Sequence, residues 1–518
     1  MVKALITALL ICLGRVMARL LHLTGHHAGT LPGRVMLKFD RNILAKLAAD
    51  KVVVAVTGTN GKTTTTALIV ELLRSAGFKV ATNASGANLL SGIVTAFTVA
   101  PADTDIYVIE VDEATLGHQA GELKPLILLV TNIFRDQLDR YGEVNTVYDL
   151  IGKGIEDASP ENLILCVDDP VVANLRKFAG AGTSVKYYGL HVAATSLSSG
   201  VNNSTNEFKT DMSTTSCPCC QNQLLYNWHT MSHLGGYSCT KCGYIRQEPE
   251  YSFSQTEDRR LRLYAGSLTE LVEHVATAGK PVRHYEKTVD FPLQGLFNSY
   301  NACAAVAVAD TLLNCSAHAA TALKCDDKAE TGFLKLSEYL SGSKAAFGRQ
   351  EIISLPGGCS LHLMLVKNPV GFSQTLPLLP PAEMSVGQKN TSVEDTSVEG
   401  LQPKVSILFL LNSNVADSCD VSWIWDVPFE EFAASAHPVY VAGERGAELA
   451  LRLTYAGYSL LNNNYLIRPL DLCQSIIDSK TSNHDFYIIA NYTAMLGIRA
   501  ALANCYHFSQ QWSTEERL

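Results

Sequence analysis

The chain has 518 residues, 47% of them hydrophobic and 18% charged, with a formal net charge of -9. That length exceeds one compact core and predicts two or three domains, while the hydrophobic share is that of an ordinary globular protein. The acidic balance argues against a nucleic-acid-binding surface, which needs a basic footprint.

At the N-terminus, Lys3 precedes an apolar run from Ala4 to Leu13. Arg15, Arg19, His26 and His27 then interrupt the pattern, no small-residue cleavage site follows, and the run is shorter than the roughly 20 apolar residues that span a bilayer. The expectation is a helical segment over residues 1–50 whose first helix packs on the body or touches a membrane surface.

Short apolar runs alternate with helical stretches over residues 51–150, the pattern of an α/β sheet. Strands are expected at Val52–Val56, Ile106–Val111 and Leu126–Val130. In open parallel sheets ligands bind beyond the carboxyl ends of the strands, so the polar residues after each run converge on one edge. The first run leads into Thr57-Gly58-Thr59-Asn60-Gly61-Lys62-Thr63-Thr64-Thr65 and then a helix. Backbone N–H groups of such a loop can wrap phosphate oxygens, with Gly58 and Gly61 allowing close approach, Lys62 bridging terminal phosphates and Thr63 ligating Mg²⁺. Gly58, Thr59, Asn60, Gly61, Lys62, Thr63 and Thr64 are therefore the expected ATP-binding residues. A full G-x-x-x-x-G-K-T motif would place glycine where Val56 stands; the shorter G-T-N-G-K-T form is present instead. The plainer alternative is a tight strand-to-helix turn with an exposed lysine.

Carboxylates follow the next strands. Among Glu110, Asp112, Glu113, Asp136 and Asp139, Glu110 is the best candidate to hold Mg²⁺ against the phosphates, the others including solvated loop charges.

Cysteines are distributed informatively. Cys217, Cys220, Cys239 and Cys242 form a C-x2-C…C-x2-C set with Cys219 as a spare, a spacing that suits one tetrahedral Zn²⁺ in a ribbon at about residues 214–250. Four protein ligands close the coordination sphere, which predicts a structural metal. Most remaining cysteines are scattered among apolar neighbours, a usage that fits a reducing cytoplasm.

Two stretches, 191–216 and 377–403, are polar and aperiodic and read as flexible insertions. A second α/β pattern starts near Phe347, with strands at Ser406–Leu411, Val439–Val441 and Phe486–Ala490 and a helix at Glu444–Tyr455. Domains are expected at 51–335 and 336–518. After the strand ending at Leu411, Asp417, Asp420 and Asp426 surround Trp423 and Trp425. Carboxylates beside bulky aromatics can be desolvated and used to orient an imidazole. From the residues alone, a strand-end loop anchored by tryptophans and carrying solvated acids is the favoured alternative.

The phosphate loop, Glu110-Val111-Asp112-Glu113, the stretch Thr131 to Gly142 and Gly295 to Ala302 together resemble the Mur ligase family. The resemblance implies a central Mur-ligase ATPase domain carrying the inserted ribbon, followed by a Rossmann-like C-terminal domain. It is strongest to the amidating branch, in which ATP phosphorylates the α-carboxylate of D-glutamate in the lipid II stem peptide. Ammonia then displaces the phosphate to give D-isoglutamine, a step of peptidoglycan synthesis. It further implies a heterodimer with a separate GatD-like glutaminase subunit that supplies the ammonia, and a cytoplasmic enzyme working at the inner face of the membrane. By resemblance Asn298 and Asn301 lie near the nucleotide, Arg349 near its phosphates, and Lys367 and Asp426 in the acceptor cleft. Asp420 would complete the partner's Cys–His pair. Gln137 stands where Mur ligases usually have histidine; Ser413, Ser418, Cys419 and Pro428 depart from the pattern commonly seen around Asp420.

Two other readings compete: an amino-acid-adding ligase similar to folylpolyglutamate synthase, and a zinc-ribbon binding protein whose nucleotide site only switches conformation. The ribbon and the tryptophan–aspartate stretch count against the first, and intact Lys62, Thr63 and Glu110 against the second.

Overall fold

A computed structural model describes residues 2–23, 29–83, 87–134, 144–192, 216–266, 284–315, 332–344, 348–355, 358–382, 404–414, 417, 419–465, 467–478 and 484–508. Asp136, Gln137 and Asp139, nearly all of the 191–216 insertion and most of 377–403 lie outside these residues. The chain divides into two compact units, and the described residues of the second are those from 348 onward.

The first unit opens with three helices, α1 (Val2–Leu23), α2 (Leu31–Phe39) and α3 (Ile43–Ala48). Strand β1 (Val52–Thr57) follows, then α4 (Lys62–Ser75), β2 (Val80–Thr82), α5 (Leu90–Val99), β3 (Ile106–Glu110), α6 (Glu113–Leu123) and β4 (Ile127–Val130). Beyond these come α7 (Val144–Ala158), β5 (Asn162–Cys166), β6 (Ser184–Leu190), the hairpin β7 (Leu225–His229) and β8 (Gly235–Ser238), β9 (Tyr251–Gln255), β10 (Leu261–Ala265), β11 (Tyr285–Val289) and α8 (Leu296–Asn314). Among the described residues one sheet has the order β2-β3-β1-β4-β5-β6-β9-β10-β11, parallel from β2 through β9 and antiparallel thereafter.

Val53 to Val56 and Ile127 to Val130 are fully buried, as expected of β-branched and leucine-rich strands covered on both faces. The chain leaves β1 toward β2 and β3 on one side and returns to β4 on the other, so the loop after β1 sits at the topological switch point. The helices α1 and α2 pack on α5; Gly33 is tight enough there that a Cβ would meet Ser91 O at 1.9 Å.

Among the described residues the second unit holds a five-stranded sheet, β12 (Arg349–Leu355), β13 (Cys359–Leu365), β14 (Lys404–Leu410), β15 (Val439–Ala442) and β16 (His484–Ala490), in the order β12-β13-β16-β14-β15. Only β12 runs antiparallel to its neighbour. Helices α9 (Gly446–Tyr455) and α10 (Tyr492–Tyr506) follow β15 and β16. Leu408, Phe409, Val441 and Ile488 fill its core without measurable exposure.

Candidate active site and metal centre

The loop after β1 folds against the carboxyl end of β4. Thr59 N donates to Asn132 O at 2.8 Å, Asn60 N to Asn132 Oδ1 at 2.8 Å, and Thr131 Oγ1 to Asn60 O at 2.8 Å. Two glycines make this approach possible. Gly58 has φ +118° and a Cβ there would lie 2.4 Å from Thr131 Oγ1; Gly61 has φ +86° and a Cβ would lie 2.4 Å from Asn301 Oδ1. Asn301 also accepts from Thr65 Oγ1 at 3.2 Å and donates to Asn298 Oδ1 at 3.2 Å. The structure thus brings Asn298 and Asn301, on α8, to the phosphate loop and the start of α4.

Lys62 begins α4 and is buried. Its Nζ donates to Gly58 O and, at 2.8 Å, to Glu113 Oε1. Burial alone would lower its pKa, but the charges of Glu113, Glu110 and Asp112 act the other way and the net shift is upward. The lysine stays cationic. Glu110 Oε1 accepts from Asn88 Nδ2 at 2.9 Å, and Asn83 holds the Glu110 backbone through both its amide groups. Asp112 caps α6, accepting from Ala114 N and Thr115 N at 3.2 and 3.3 Å. Of the three carboxylates at the end of β3 and just beyond it, one therefore caps a helix and one holds the lysine. Glu110 is left as the metal-facing candidate, held by two asparagines that sequence reasoning overlooked. Runs of carboxylates at a strand end give no sign of which will cap the next helix.

The four expected cysteines converge. Cys217 Sγ lies 3.6 Å from Cys242 Sγ, Cys220 Sγ lies 3.5 Å from Cys239 Sγ, and all four sulfurs are within 4.8 Å of one another. Tetrahedral coordination at a 2.3 Å metal–sulfur distance requires sulfurs about 3.8 Å apart, so the set fits such an ion. Each pair sits on a tight turn, with Gln221 N donating to Cys217 O and Gly243 N to Cys239 O. Backbone N–H groups of Cys242 and Lys241 pull the Cys239 thiol down to about 6, whereas desolvation and the neighbouring sulfurs hold Cys217, Cys220 and Cys242 up. Cys219 is exposed and accepts from Asn174 Nδ2, apart from the cluster.

The cysteine-bearing segment is tied to the sheet through the two aspartates after β5. Asp168 accepts from Arg246 Nε at 2.7 Å, Tyr300 Oη at 2.6 Å and Leu190 N at 2.7 Å. Asp169 caps the turn beginning at Pro170 and lies 3.2 Å from His233 Nε2, with both side chains fully buried. The His233 ring meets Phe134 edge-on at 5.1 Å, and Phe134 N donates to Thr59 Oγ1 at 3.0 Å. His233, Arg246 and Tyr300 were not singled out by sequence reasoning; lone residues carry no spacing signal.

In the second unit, Arg349 opens β12 and is partly buried, and Lys367 precedes Asn368, whose Oδ1 caps a short helix by accepting from Gly371 N at 2.8 Å. The tryptophan–aspartate stretch is a strand-end loop carrying exposed acids, as the residues alone favour, but Trp425 is not its anchor. Ser422–Asp426 is a 3₁₀ turn anchored by Ile424, Val427 and Phe429, each at most 1% exposed, whereas Trp425 is 49% exposed. Asp420 and Asp426 are exposed rather than desolvated by aromatics; Asp420 Oδ1 accepts from Ser422 N at 2.8 Å. The buried carboxylate is Asp417, which accepts from Thr493 N at 2.8 Å and from the Thr493 hydroxyl. Arg452, on α9, holds the turn from beneath, donating to Ile424 O at 3.2 Å, Val427 O at 2.6 Å and Glu430 Oε1 at 2.7 Å.

Comparison with known proteins bears on this arrangement. Residues 56–227 match the Mur ligase middle domain and residues 365–495 the MurT ligase C-terminal domain. The chain is 33% identical over 482 residues to the lipid II isoglutaminyl synthase (glutamine-hydrolyzing) subunit MurT of Streptococcus pneumoniae, covering 92% of each. It is 30% identical to the subunit of the same name from Staphylococcus aureus, covering 91% of this chain and 92% of the relative. Among solved structures, a pseudomurein peptide ligase type C from Methanothermus fervidus superposes with a TM-score of 0.56 at 21% identity, over 90% of this chain and 81% of that one.

Proposed function

This chain belongs to the MurT family of Mur-type ligase subunits, and from that premise we propose that it amidates the stem peptide of lipid II in peptidoglycan synthesis. The observation that carries the reading is the buried Lys62, cationic among Glu110, Asp112 and Glu113 at the switch point of a Mur-ligase sheet. An ammonium and a ring of carboxylates there suit a metal–nucleotide phosphate tail.

In this reaction a carboxylate oxygen of D-glutamate attacks the γ-phosphorus of ATP, ADP leaves, and an acyl phosphate forms. The nitrogen of ammonia then adds to the carbonyl carbon, loses a proton, and inorganic phosphate departs to leave D-isoglutamine. The loop Gly58–Thr64 cradles the phosphates through its N–H groups, Lys62 moves from Glu113 to bridge the terminal phosphates, and Asn298 and Asn301 border the nucleotide. Mg²⁺, held by Thr63 and Glu110, would offset charge developing on the transferred phosphoryl group. Arg349, Lys367 and Asp426 are assigned to phosphate and acceptor binding within the same reading, as are the domain spans 51–335 and 336–518. Zn²⁺ is assigned to Cys217, Cys220, Cys239 and Cys242 as a structural ion of the ribbon.

The relatives are named as glutamine-hydrolyzing subunits, which supports a partner that releases the ammonia. We assign the partner a GatD-like glutaminase role and place its docking at the exposed turn carrying Asp420, whose carboxylate would fix the partner histidine's tautomer. The reaction belongs to the cytoplasm, at the inner face of the membrane that holds a lipid-linked acceptor. Isotope tracing tests the core claim: with an acceptor carboxylate labelled with oxygen-18, one label should appear in released phosphate per turnover. Unlabelled phosphate would exclude the acyl phosphate.

A further inference from the structure

Helix α1 has two unlike faces. Leu10 and Ala18 are buried, and Gly14 packs so closely that a Cβ would lie 2.7 Å from Met36 Sδ. Arg15 Nε donates to Thr98 O at 2.9 Å, further fixing the helix to α5. On the opposite side Leu9, Leu13, Val16, Leu20 and Leu23 fall four and three residues apart, which lines them along one stripe. They are exposed by 62, 43, 45, 57 and 83%. Five large aliphatic side chains in one contiguous exposed row mark an interaction surface rather than the scattered apolar residues of ordinary surfaces.

Charge decides the occupant. Residues 2–51 carry eight lysines and arginines against two aspartates, in a chain whose net charge is -9. Arg19 is exposed and lies on the flank of the stripe by helical spacing. A second copy of this helix would bring two basic segments together, so self-pairing is opposed by like charge. A surface of anionic phospholipid satisfies both features, with acyl chains for the stripe and phosphates for the cations. No described helix is long and apolar enough to cross a membrane, so α1 would lie in the plane of the interface.

We propose that the outer stripe of α1 seats this chain on an anionic bilayer, its aliphatic side chains entering the headgroup–acyl boundary. The inference deepens the reading above, from which it takes only the lipid-borne acceptor. The full-length chain, with its partner where one co-purifies, is sedimented with phosphatidylcholine vesicles containing about one-third phosphatidylglycerol and with pure phosphatidylcholine vesicles. Binding to the anionic vesicles should exceed binding to the neutral ones and weaken with salt. The double substitution L13E/L20E should lower partitioning roughly tenfold or more, and R19E should lower it less. Both variants should keep the wild-type unfolding midpoint and amidate detergent-dispersed lipid II at the wild-type rate. Unchanged partitioning of L13E/L20E, or equal partitioning to the two vesicle types, would overturn the proposal. So would a wild-type dimer that ignores vesicles and becomes monomeric in L13E/L20E, which would make the stripe a seam between copies. Vesicle binding without any amidation of dispersed lipid II would instead remove the functional reading and leave the docking surface standing.

Discussion

Lys62 Nζ lies 2.8 Å from Glu113 Oε1, and both side chains are less than one-tenth exposed. The cation proposed to bridge the terminal phosphates is thus already paired with an internal carboxylate. Breaking one side of a buried pair costs more than the pair contributes, because the other charge is left stranded. Lys62→Ala should therefore lower stability by about 3 kcal/mol as well as abolish ATP turnover. Adding Glu113→Gln should restore most of the stability and none of the turnover. Thermal unfolding and phosphate release on the single and double variants check this; a fully stable Lys62→Ala protein would count against the buried pair.

The cysteine cluster predicts metal content. Purified protein should carry about one zinc ion per chain, and a strong chelator should lower the unfolding temperature. Cys217→Ser should lose the ion, while Cys219→Ser should keep it, since Cys219 points to Asn174 and not into the cluster. Metal analysis of both variants decides; a folded, metal-free wild type would reject the assignment.

His233 links the cysteine-bearing segment to the phosphate loop through Phe134 and Thr59. His233→Ala empties a fully buried site beside Asp169 and should cost about 2–4 kcal/mol. It should also weaken nucleotide binding several-fold, by roughly 1 kcal/mol, because the loop's Thr59 loses a braced partner. Calorimetry with a non-hydrolysable ATP analogue measures the second effect. An unchanged affinity in a destabilised protein would leave His233 with a purely local role.

Asp420 and Asp417 should separate cleanly. Asp420 is exposed, so Asp420→Asn should leave the unfolding temperature within about a degree and impair glutamine-driven amidation while sparing ammonia-driven amidation. Asp417 is buried on Thr493, so Asp417→Asn should destabilise the second unit by about 1–2 kcal/mol. Equal loss with both nitrogen sources in Asp420→Asn would move that residue out of partner coupling.

Arg452 offers a further test of the same turn. Its guanidinium donates to two carbonyls of the Ile424–Val427 segment from a buried position. Arg452→Lys cannot span both carbonyls and the Glu430 carboxylate. It should reduce glutamine-driven turnover more than ammonia-driven turnover, measured side by side, with the nucleotide affinity unchanged.

What the residues alone determined was local. The buried run Val52–Val56, the glycine spacing before Lys62 and the two cysteine pairs specify a strand, a phosphate loop and a four-thiolate set, because each depends on spacing within a few residues. The strands at Ile106 and Leu126 and three of the second sheet, β14, β15 and β16, were legible for the same reason: β-branched runs bounded by polar residues leave few other conformations. Strands β12 and β13 were not. Tertiary packing decided what spacing cannot encode. Asn301 meets Thr65 across 236 residues of chain, and His233 meets Asp169 only because the cysteine-bearing segment folds back on β5. Among Glu110, Asp112 and Glu113, all buried, packing chose which one caps a helix, which one pairs with the lysine and which one is held by asparagines. The donors to Asp112 come from the next two or three residues, whereas the Lys62 ammonium on Glu113 and the Asn83 and Asn88 amides on Glu110 come from segments 22 to 51 residues away, which spacing within the motif cannot encode.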